Sequence, residues 1–407
     1  MVVRCVHQRL VPTLRRRIPS TSSPCRTYAT GFESENPLRK TGLFDFHVSN
    51  GAKMVPFGGW SMPLSYGSVG QVASHSHVRT HAGLFDVGHM VQHKFRGPRA
   101  AAFLEKLTPS SLAALPYFSS TLSVLLLPNG GILDDMIITK HADDAFYVVT
   151  NAGRRAEDNA WFRRQLDDGE WKDGVEWTVM DGWGLLALQG PEAAQILQQH
   201  TSEDLSKLVF GRSTYMKVSG VNVHVARGGY TGEDGFEISI PPEHTVQLAE
   251  VLSKPPVQLA GLGARDSLRI EAGMCLYGSD IDESTSPVEA GLSWVIGKDR
   301  RESTNFIGAE TVLAHLRHGP PRRRVGLTVE GAPARHGAKI FAQDGRDYLG
   351  DITSGIPSPT LGKNIAMGYV TSGHHKKGTS VAVEVRGKLR DAMVVPMPFV
   401  KARYFRG

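Results

Sequence analysis

The sequence predicts an α+β fold, in which two related α/β units with antiparallel sheets precede a C-terminal domain made of strands. Two stretches share one layout, in which a strand meets a Gly-Pro pair and a helical run follows. Each stretch continues with alternating strands and another helix, an order that favours antiparallel strands over a doubly wound parallel sheet. Beyond Pro320-Pro321, helical periodicity fades and short strands alternate with Gly and Pro turns.

The first unit begins with a strand over residues 91–96, then Gly97-Pro98 and a helix over residues 99–107. Proline at the first helical position has its φ preset and lacks an N–H that would be unpaired there. Strands over residues 132–139 and 146–150 follow. Asn151 is a suitable N-cap for the next helix.

The second unit repeats this order. A strand over residues 185–189 meets Gly190-Pro191, and a helix follows over residues 192–200. The next three strands and the last helix are predicted at residues 215–218, 221–226 and 236–240 and after Pro242.

The C-terminal domain, residues 321–404, follows a polar join over residues 301–320 and reads as a small β-barrel or sandwich. Its six candidate strands cover residues 325–329, 338–341, 348–354, 365–370, 379–385 and 392–396.

The positive charge of the chain lies at its N-terminus. The 407 residues include 46 Lys and Arg against 40 Asp and Glu, but residues 1–32 hold six Arg, no Lys and no acid. The rest is therefore balanced, 46 − 6 = 40 against 40, which argues against a nucleic-acid partner. An arginine-rich, acid-free start predicts a mitochondrial transit peptide over residues 1–30 and import to the matrix; the alternative is a disordered basic tail. No apolar run approaches the roughly 18 residues of a membrane span.

Common cofactor signatures are missing from the sequence. It has neither GxGxxG nor GxxxxGK[ST], so neither a dinucleotide domain nor a P-loop is predicted. Cys275 is the one thiol outside the leader and is predicted to lie in an apolar helix. A metal site is not predicted, because the histidines at 75, 77, 81, 89 and 93 lack a Cys or HExxH partner and Arg79 lies among them.

Asp134 and Asp135 interrupt an otherwise apolar strand. Successive strand residues face opposite sides, so we expect one functional carboxylate and one structural acceptor rather than a dyad. Tyr147, Val149 and Asn151 share one face of the next strand.

Two further charged positions leave alternatives open. Glu237 points away from the apolar face of its strand, which fits either a site or simple exposure to solvent. Arg265 and Arg269 lie one helical turn apart, where either a ligand or salt bridges with Asp266 and Glu271 would account for them.

Several long motifs resemble the aminomethyltransferase (T-protein) family of the glycine cleavage system. They are LFDVGHM, GGILDD, GYTGEDG, GARDSLR and TSG…SPTLG, which start at residues 84, 130, 229, 263 and 353. The resemblance runs from about residue 41 to residue 404 and departs from the family pattern at Gly88, where Ser is usual.

The resemblance implies a three-domain cloverleaf with folate in its central hole, and an aminomethyltransferase folate-binding region over residues 40–300. It implies transfer of the aminomethyl carbon of the lipoylated H-protein to tetrahydrofolate, a co-substrate, which gives 5,10-methylenetetrahydrofolate, ammonia and a dihydrolipoyl carrier. P-protein and L-protein are implied as further components, and neither a metal nor a flavin is expected.

The resemblance also assigns site residues. Asp135 matches the functional carboxylate of the family, and Glu237, Arg265 and Tyr404 match its substrate-binding set, with Arg324 a weaker match. The positions near the folate rings are Met90, Leu122, Tyr147, Val149, Asn151, Tyr230 and Trp294.

Three other functions compete with this one. Flavin-linked dimethylglycine and sarcosine dehydrogenases share the fold but need the absent GxGxxG motif. A folate-binding factor for tRNA modification or iron–sulfur assembly would lack much of the motifs at 130 and 229. A scaffold without activity remains compatible with the sequence.

A basic rim for the carrier is expected at Arg322, Arg323, Arg324, Lys376 and Lys377, with a plain solvated face as the alternative.

Overall fold

The structure is a computed structural model that describes residues 37–407. The predicted transit peptide lies outside the described residues. Within them, the strands form a two-stranded hairpin, a five-stranded sheet, a six-stranded sheet and a closed six-stranded barrel. None of the described helices has the length and apolar character that a bilayer crossing requires.

The five-stranded sheet forms the first unit and is antiparallel throughout, in the order β5-β6-β7-β4-β8. Its strands are β4 (Val91–Arg96), β5 (Ser119–Leu126), β6 (Ile132–Ala142), β7 (Ala145–Thr150) and β8 (Glu176–Val179), and its helices are α3 (Ala100–Leu107) and α4 (Arg155–Asp167). The predicted strands and the helix after Gly97-Pro98 are thus present.

The helix predicted to begin at Asn151 begins later. Residues Ala152–Arg154 form a 3-10 turn, α4 starts at Arg155, and the Asn151 side chain caps neither. Its amide is directed instead to the two aspartates of β6, as described below.

The six-stranded sheet forms the second unit, in the order β10-β11-β12-β9-β3-β13. Its strands are β3 (Gly83–Asp86), β9 (Gly184–Gln189), β10 (Ser213–Val218), β11 (Val221–Arg227), β12 (Gly235–Ile240) and β13 (Gln258–Leu259), and its helices are α5 (Ala193–Gln198) and α6 (Thr245–Leu252). All pairs are antiparallel except β13 with β3.

The strand β3 was not predicted in this sheet, because it precedes the first unit in the chain. It pairs with β9, Leu84 opposite Leu188, about 100 residues away. Residues 87–90 then lead directly into β4 of the first sheet. This crossing places Met90 at the junction of the two sheets.

The C-terminal domain is a closed barrel, which confirms the predicted strands and decides between barrel and sandwich. Its strands are β14 (Arg322–Val329), β15 (Lys339–Ala342), β16 (Tyr348–Ser358), β17 (Lys363–Thr371), β18 (Ser380–Val385) and β19 (Lys388–Val395). Alternate residues such as Leu327, Val383 and Val394 fill its interior.

Two predictions for the connecting segments differ from the structure. The join before the barrel contains a helix, α8 (Ala309–His318), whose Val312 and Leu313 are buried. Cys275 lies in an irregular segment rather than in a helix. It follows α7 (Leu262–Glu271), which packs against α2 (Gln71–Thr80), β2 (Trp60–Tyr66), β16 and β17. The remaining elements are α1 (Phe44–Ser49) and β1 (Ala52–Phe57).

Candidate active site

The two aspartates of β6 meet one amide side chain. Asn151 Nδ2 donates to Asp134 Oδ1 at 2.9 Å and to Asp135 Oδ1 at 2.8 Å, and the Asn151 backbone N–H donates to Asp134 Oδ2 at 2.8 Å. Asp134 is fully buried, while Asp135 is half-buried. The expectation that strand alternation keeps the two carboxylates apart is thus wrong, because both lie within hydrogen-bond distance of one amide nitrogen at the end of β7.

Asp135 is held in a poorly hydrated position. Burial and the neighbouring Asp134 charge raise the pKa of Asp135 to about 7, against the lowering effect of the Asn151 hydrogen bond. The carboxyl is therefore close to half ionised near neutral pH, so it is able to hold or release a proton there.

Glu237 and Arg265 are neighbouring charges of opposite sign. Glu237 lies in the middle of β12 between two small partners, Ala187 of β9 and Ala226 of β11. Burial raises the pKa of Glu237, and the Arg265 charge from α7 lowers it less. The exposed alternative for Glu237 is thus wrong, because the side chain is half-buried and faces Arg265.

Tyr230 connects this pair with Asp135. The Arg265 guanidinium carbon lies 4.6 Å from the centre of the Tyr230 ring, a cation–π contact. The Tyr230 hydroxyl donates to the Cys275 carbonyl. Burial raises the pKa of Tyr230, and the Asp135 charge raises it further, so the two side chains are neighbours.

The charged groups of Glu237 and Arg265 have unused hydrogen-bonding capacity. Among residues 37–407, neither the Glu237 carboxylate nor the Arg265 guanidinium forms a hydrogen bond or an ion pair. Both are half-buried rather than sealed from water. Charged groups in this state can bind a polar ligand without first breaking internal contacts.

The residues that the resemblance places near the folate rings differ in burial: some are half-buried and others belong to the protein core. Met90 and Leu122 are half-buried, whereas Tyr147 and Val149 are only 6% and 7% exposed. Met90 packs with Tyr147 and Val149 in one cluster between the sheets and α7. The Tyr147 hydroxyl donates to Gln92 Oε1 at 2.8 Å, so the ring is fixed in place.

Three of the residues that the resemblance assigns to the site make contacts with residues other than Asp135 and Glu237. The Tyr404 ring stacks on Phe210, with centroids 4.1 Å apart. Trp294 is 62% exposed. The Arg324 guanidinium donates to the carbonyls of Ala290 and Gly273 at 2.8 and 3.0 Å, so it supports the segment that contains Cys275.

Arg269 has a structural role. It makes one contact that the sequence predicted and one that the sequence did not predict. It contacts Asp266 as expected, but not Glu271; its second partner is the fully buried Asp280, at 2.5 Å. Asp280 also raises the pKa of Asp135. No spacing pattern identifies Asp280, because it lies in an irregular segment.

Four of the five histidines considered as ligands have polar partners. His75 contacts Ser267 and Thr360, and His93 contacts Thr150, all at 2.7–3.2 Å. Within residues 37–407 there is no group of three or more His, Cys, Asp or Glu side chains arranged to hold a metal ion.

The basic rim is smaller than the sequence indicates. Arg322 contacts Glu289 at 3.1 Å, and Arg324 faces inward. Lys376 and Lys377 are exposed and Arg323 is half-buried.

Comparison with known proteins agrees with this architecture. The family model described as "GCVT N-terminal domain" matches residues 43–300, and the "Glycine cleavage T-protein C-terminal barrel domain" matches residues 322–401. The chain belongs to the glycine cleavage T-protein family. It is an aminomethyltransferase of the glycine cleavage system by that membership.

Relatives match over nearly their whole length. The chain is 50% identical over 375 residues to the probable mitochondrial aminomethyltransferase of Schizosaccharomyces pombe, covering 92% of this chain and 96% of that one. It is 47% identical over 385 residues to the mitochondrial aminomethyltransferase of Saccharomyces cerevisiae, covering 91% and 96%. Both relatives are named as mitochondrial.

A solved structure shares the fold of the family. The aminomethyltransferase T of the glycine cleavage system from Bartonella henselae superposes with a TM-score of 0.85 at 40% identity, covering 91% of this chain and all of that one. The two α/β units and the barrel are thus the architecture of the glycine cleavage T-protein family.

Proposed function

We propose that this chain transfers the aminomethyl carbon of the lipoylated H-protein to tetrahydrofolate, which yields 5,10-methylenetetrahydrofolate, ammonia and the dihydrolipoyl carrier. It would act in the mitochondrial matrix beside P-protein and L-protein. The observation that supports this most is Asp135, which is half-buried, held by Asn151 and raised in pKa to about 7.

The residues fit a folate in chemical type. An aminopyrimidine edge offers adjacent N–H donors, and the unpaired Glu237 carboxylate can accept two of them. Arg265 would neutralise that carboxylate or bind a folate oxygen, since its own donors are unused. Met90, Leu122 and Trp294 would cover flat, partly apolar rings, and Tyr147, Val149, Asn151 and Tyr230 would set the walls. We place Tyr404 and Arg324 in the outer part of the site.

Asp135 would act on charge and protons. Attack of the folate N5 on the methylene breaks the carbon–nitrogen bond as ammonia leaves with the N5 proton, and a nearby carboxylate stabilises the positive charge that develops on carbon. Attack of N10 on the same carbon then breaks the carbon–sulfur bond, and the departing thiolate takes up the N10 proton to give the dihydrolipoyl arm. The remaining requirement is alignment of two bound partners, which lowers a barrier by several kcal/mol. No nucleophilic side chain is needed for this route.

The test is ammonia release from aminomethylated, lipoylated H-protein, with and without tetrahydrofolate, using residues 31–407. We expect fast release that requires tetrahydrofolate and falls at least roughly 100-fold in Asp135→Asn. Asp144→Asn is the matched control, because Asp144 is exposed at the turn after β6. Equal release by wild type and Asp135→Asn would contradict the proposed role of Asp135, and slow, folate-independent release would contradict the transferase itself.

We further propose that Lys376 and Lys377 belong to the carrier's docking surface. Both are exposed on the barrel and would attract an acidic partner, which affects the rate of encounter more than affinity. Reversal of both charges should raise the KM for the carrier and leave the KM for tetrahydrofolate unchanged. An unchanged carrier KM would exclude these two residues.

A further inference from the structure

A third carboxyl lies behind the two aspartates of β6. Asp158, on α4, is fully buried, and neither of its oxygens has a hydrogen-bond donor of good geometry within residues 37–407. Its side chain contacts that of Asp134, also fully buried. Two ionised carboxylates repel strongly out of water, and a hydrogen bond between them requires one proton. The Asp134–Asp158 pair therefore shares a proton.

Within residues 37–407, no cation forms an ion pair with Asp134 or Asp158. The Arg154 guanidinium, whose charge lowers the pKa of Asp158, donates to the Leu133 carbonyl at 3.1 Å and pairs with Glu157 and Glu283. In the part of the chain that is described, Asp158 forms no ion pair. Burial raises the pKa of Asp158 to about 7 and that of Asp134 well above its usual range, and the contact between the two raises the pKa of Asp134 and lowers that of Asp158. The other titratable, charged or hydroxyl groups around the pair are His93, Asp135, Thr150, Glu157 and Tyr277.

The protonated pair is linked to Asp135 by consecutive contacts. Asp134 accepts from both the backbone and the side-chain N–H of Asn151, and the same side-chain nitrogen donates to Asp135 at 2.8 Å. A shift of Asp134 would rotate this amide and release the Asp135 carboxylate. Within the described residues, Asp158 forms no hydrogen bond with Asp135 and is closed to solvent, so its influence on the reaction is indirect.

We propose that Asp158 is a positioning residue, which shares one proton with Asp134 and thereby fixes, through Asn151, the orientation of the Asp135 carboxylate. This inference rests on the proposed function of Asp135. Asparagine at 158 keeps the shape and can both donate to Asp134 and accept from it, whereas leucine keeps the volume and the helix propensity but can do neither.

The first test compares turnover in Asp158→Asn and Asp158→Leu. We expect Asp158→Asn to keep kcat within about threefold, and Asp158→Leu to lose roughly 10- to 100-fold in kcat with little change in the KM for tetrahydrofolate. Asp167→Leu, at the exposed end of α4, is the matched control. Full kcat in Asp158→Leu, or equal losses in both folded variants, would overturn the proposal.

The second test does not depend on activity or on the leucine variant folding. A carboxyl whose pKa is raised in the folded state stabilises the fold less as pH rises through that value. Between pH 6 and pH 9 the Tm of wild type should therefore fall more than that of Asp158→Asn, in which the amide contacts Asp134 without a shared carboxyl proton. Parallel Tm curves would show that the Asp134–Asp158 pair does not share a proton.

Asp135→Asn separates the two hypotheses. If this variant keeps full turnover, the proposed function of Asp135 fails, while the Tm comparison still reports on Asp158. If it loses turnover and Asp158→Leu does not, only the inference about Asp158 fails.

Discussion

At the scale of single residues, Asp135 couples the site to pH. Its pKa of about 7 comes first from burial and then from the Asp134 charge. The ionised form is the one that stabilises positive charge, so kcat should fall as pH drops from 8 to 6. A pH profile of ammonia release at saturating substrates checks this, and the apparent pKa belongs to the coupled aspartates as a group. A profile flat from pH 6 to pH 8 would contradict the role of the ionised carboxylate.

Glu237 provides the second prediction at this scale. Its carboxylate has no hydrogen-bond or ion-pair partner within residues 37–407, so replacing it should weaken ligand binding far more than it weakens the fold. Glu237→Gln should weaken tetrahydrofolate binding roughly 10- to 100-fold, since hydrogen bonds to charged groups are worth about 1.5–3 kcal/mol. Isothermal titration measures this, and Glu384→Gln, on an exposed position of a barrel strand, is the control. Unchanged affinity would remove Glu237 from the folate site.

At the scale of elements, the turn before β6 sets the position of both aspartates. A Cβ on Gly131 would lie 1.8 Å from the Glu283 carbonyl oxygen, and the next residue, Ile132, donates its N–H to the Thr285 carbonyl at 3.1 Å. The segment around Glu283 therefore packs directly on the start of β6, and only glycine fits there.

Gly131→Ala should consequently destabilise the protein by about 1–3 kcal/mol or more and lower turnover, because the start of β6 has to move. Urea unfolding followed by circular dichroism measures the loss. Gly42→Ala is the control, since a Cβ there meets nothing within 4 Å, and its effect should stay within about 0.5 kcal/mol. Equal stability of the two variants would contradict the close approach.

At the scale of the whole molecule, Glu271 ties the barrel to the helices. It accepts from Arg79 of α2 at 2.8 Å and, at 2.5 Å, from Ser358 at the end of β16, and it also contacts His75 and Thr360. Burial opposes its charge, but the hydrogen bonds from His75, Ser358 and Thr360 outweigh it and lower its pKa to about 2. A carboxyl lowered in this way stabilises the fold above pH about 4.5, and this contribution is lost as pH falls toward 2.

Glu271→Gln should therefore cost about 3 kcal/mol at pH 7, because it leaves Arg79 without half of its buried charge partners. The difference from wild type should shrink as pH falls from about 5 toward 2. Urea unfolding at pH 7 and pH 3 checks both statements, with Glu243→Gln, an exposed site, as control. A difference that does not change with pH would show that the charge of Glu271 is unimportant.

The local pattern of the sequence was sufficient to locate most of the helices and strands. Alternation of apolar residues located the six barrel strands, and Gly-Pro pairs located the starts of α3 and α5. These signals are local, since each arises from residues within one strand or turn. The family motif selected Asp135 from two adjacent aspartates that alternation alone places only on opposite faces.

The tertiary structure alone decided which distant groups meet. It placed β3 in the second sheet, brought Glu237 near Arg265, and set Asp158 behind Asp134. Periodicity tells which face of an element is buried but not what lies opposite it. The partner of a buried charge is determined by how sheets and helices pack, and a charge out of water is stable only beside that partner.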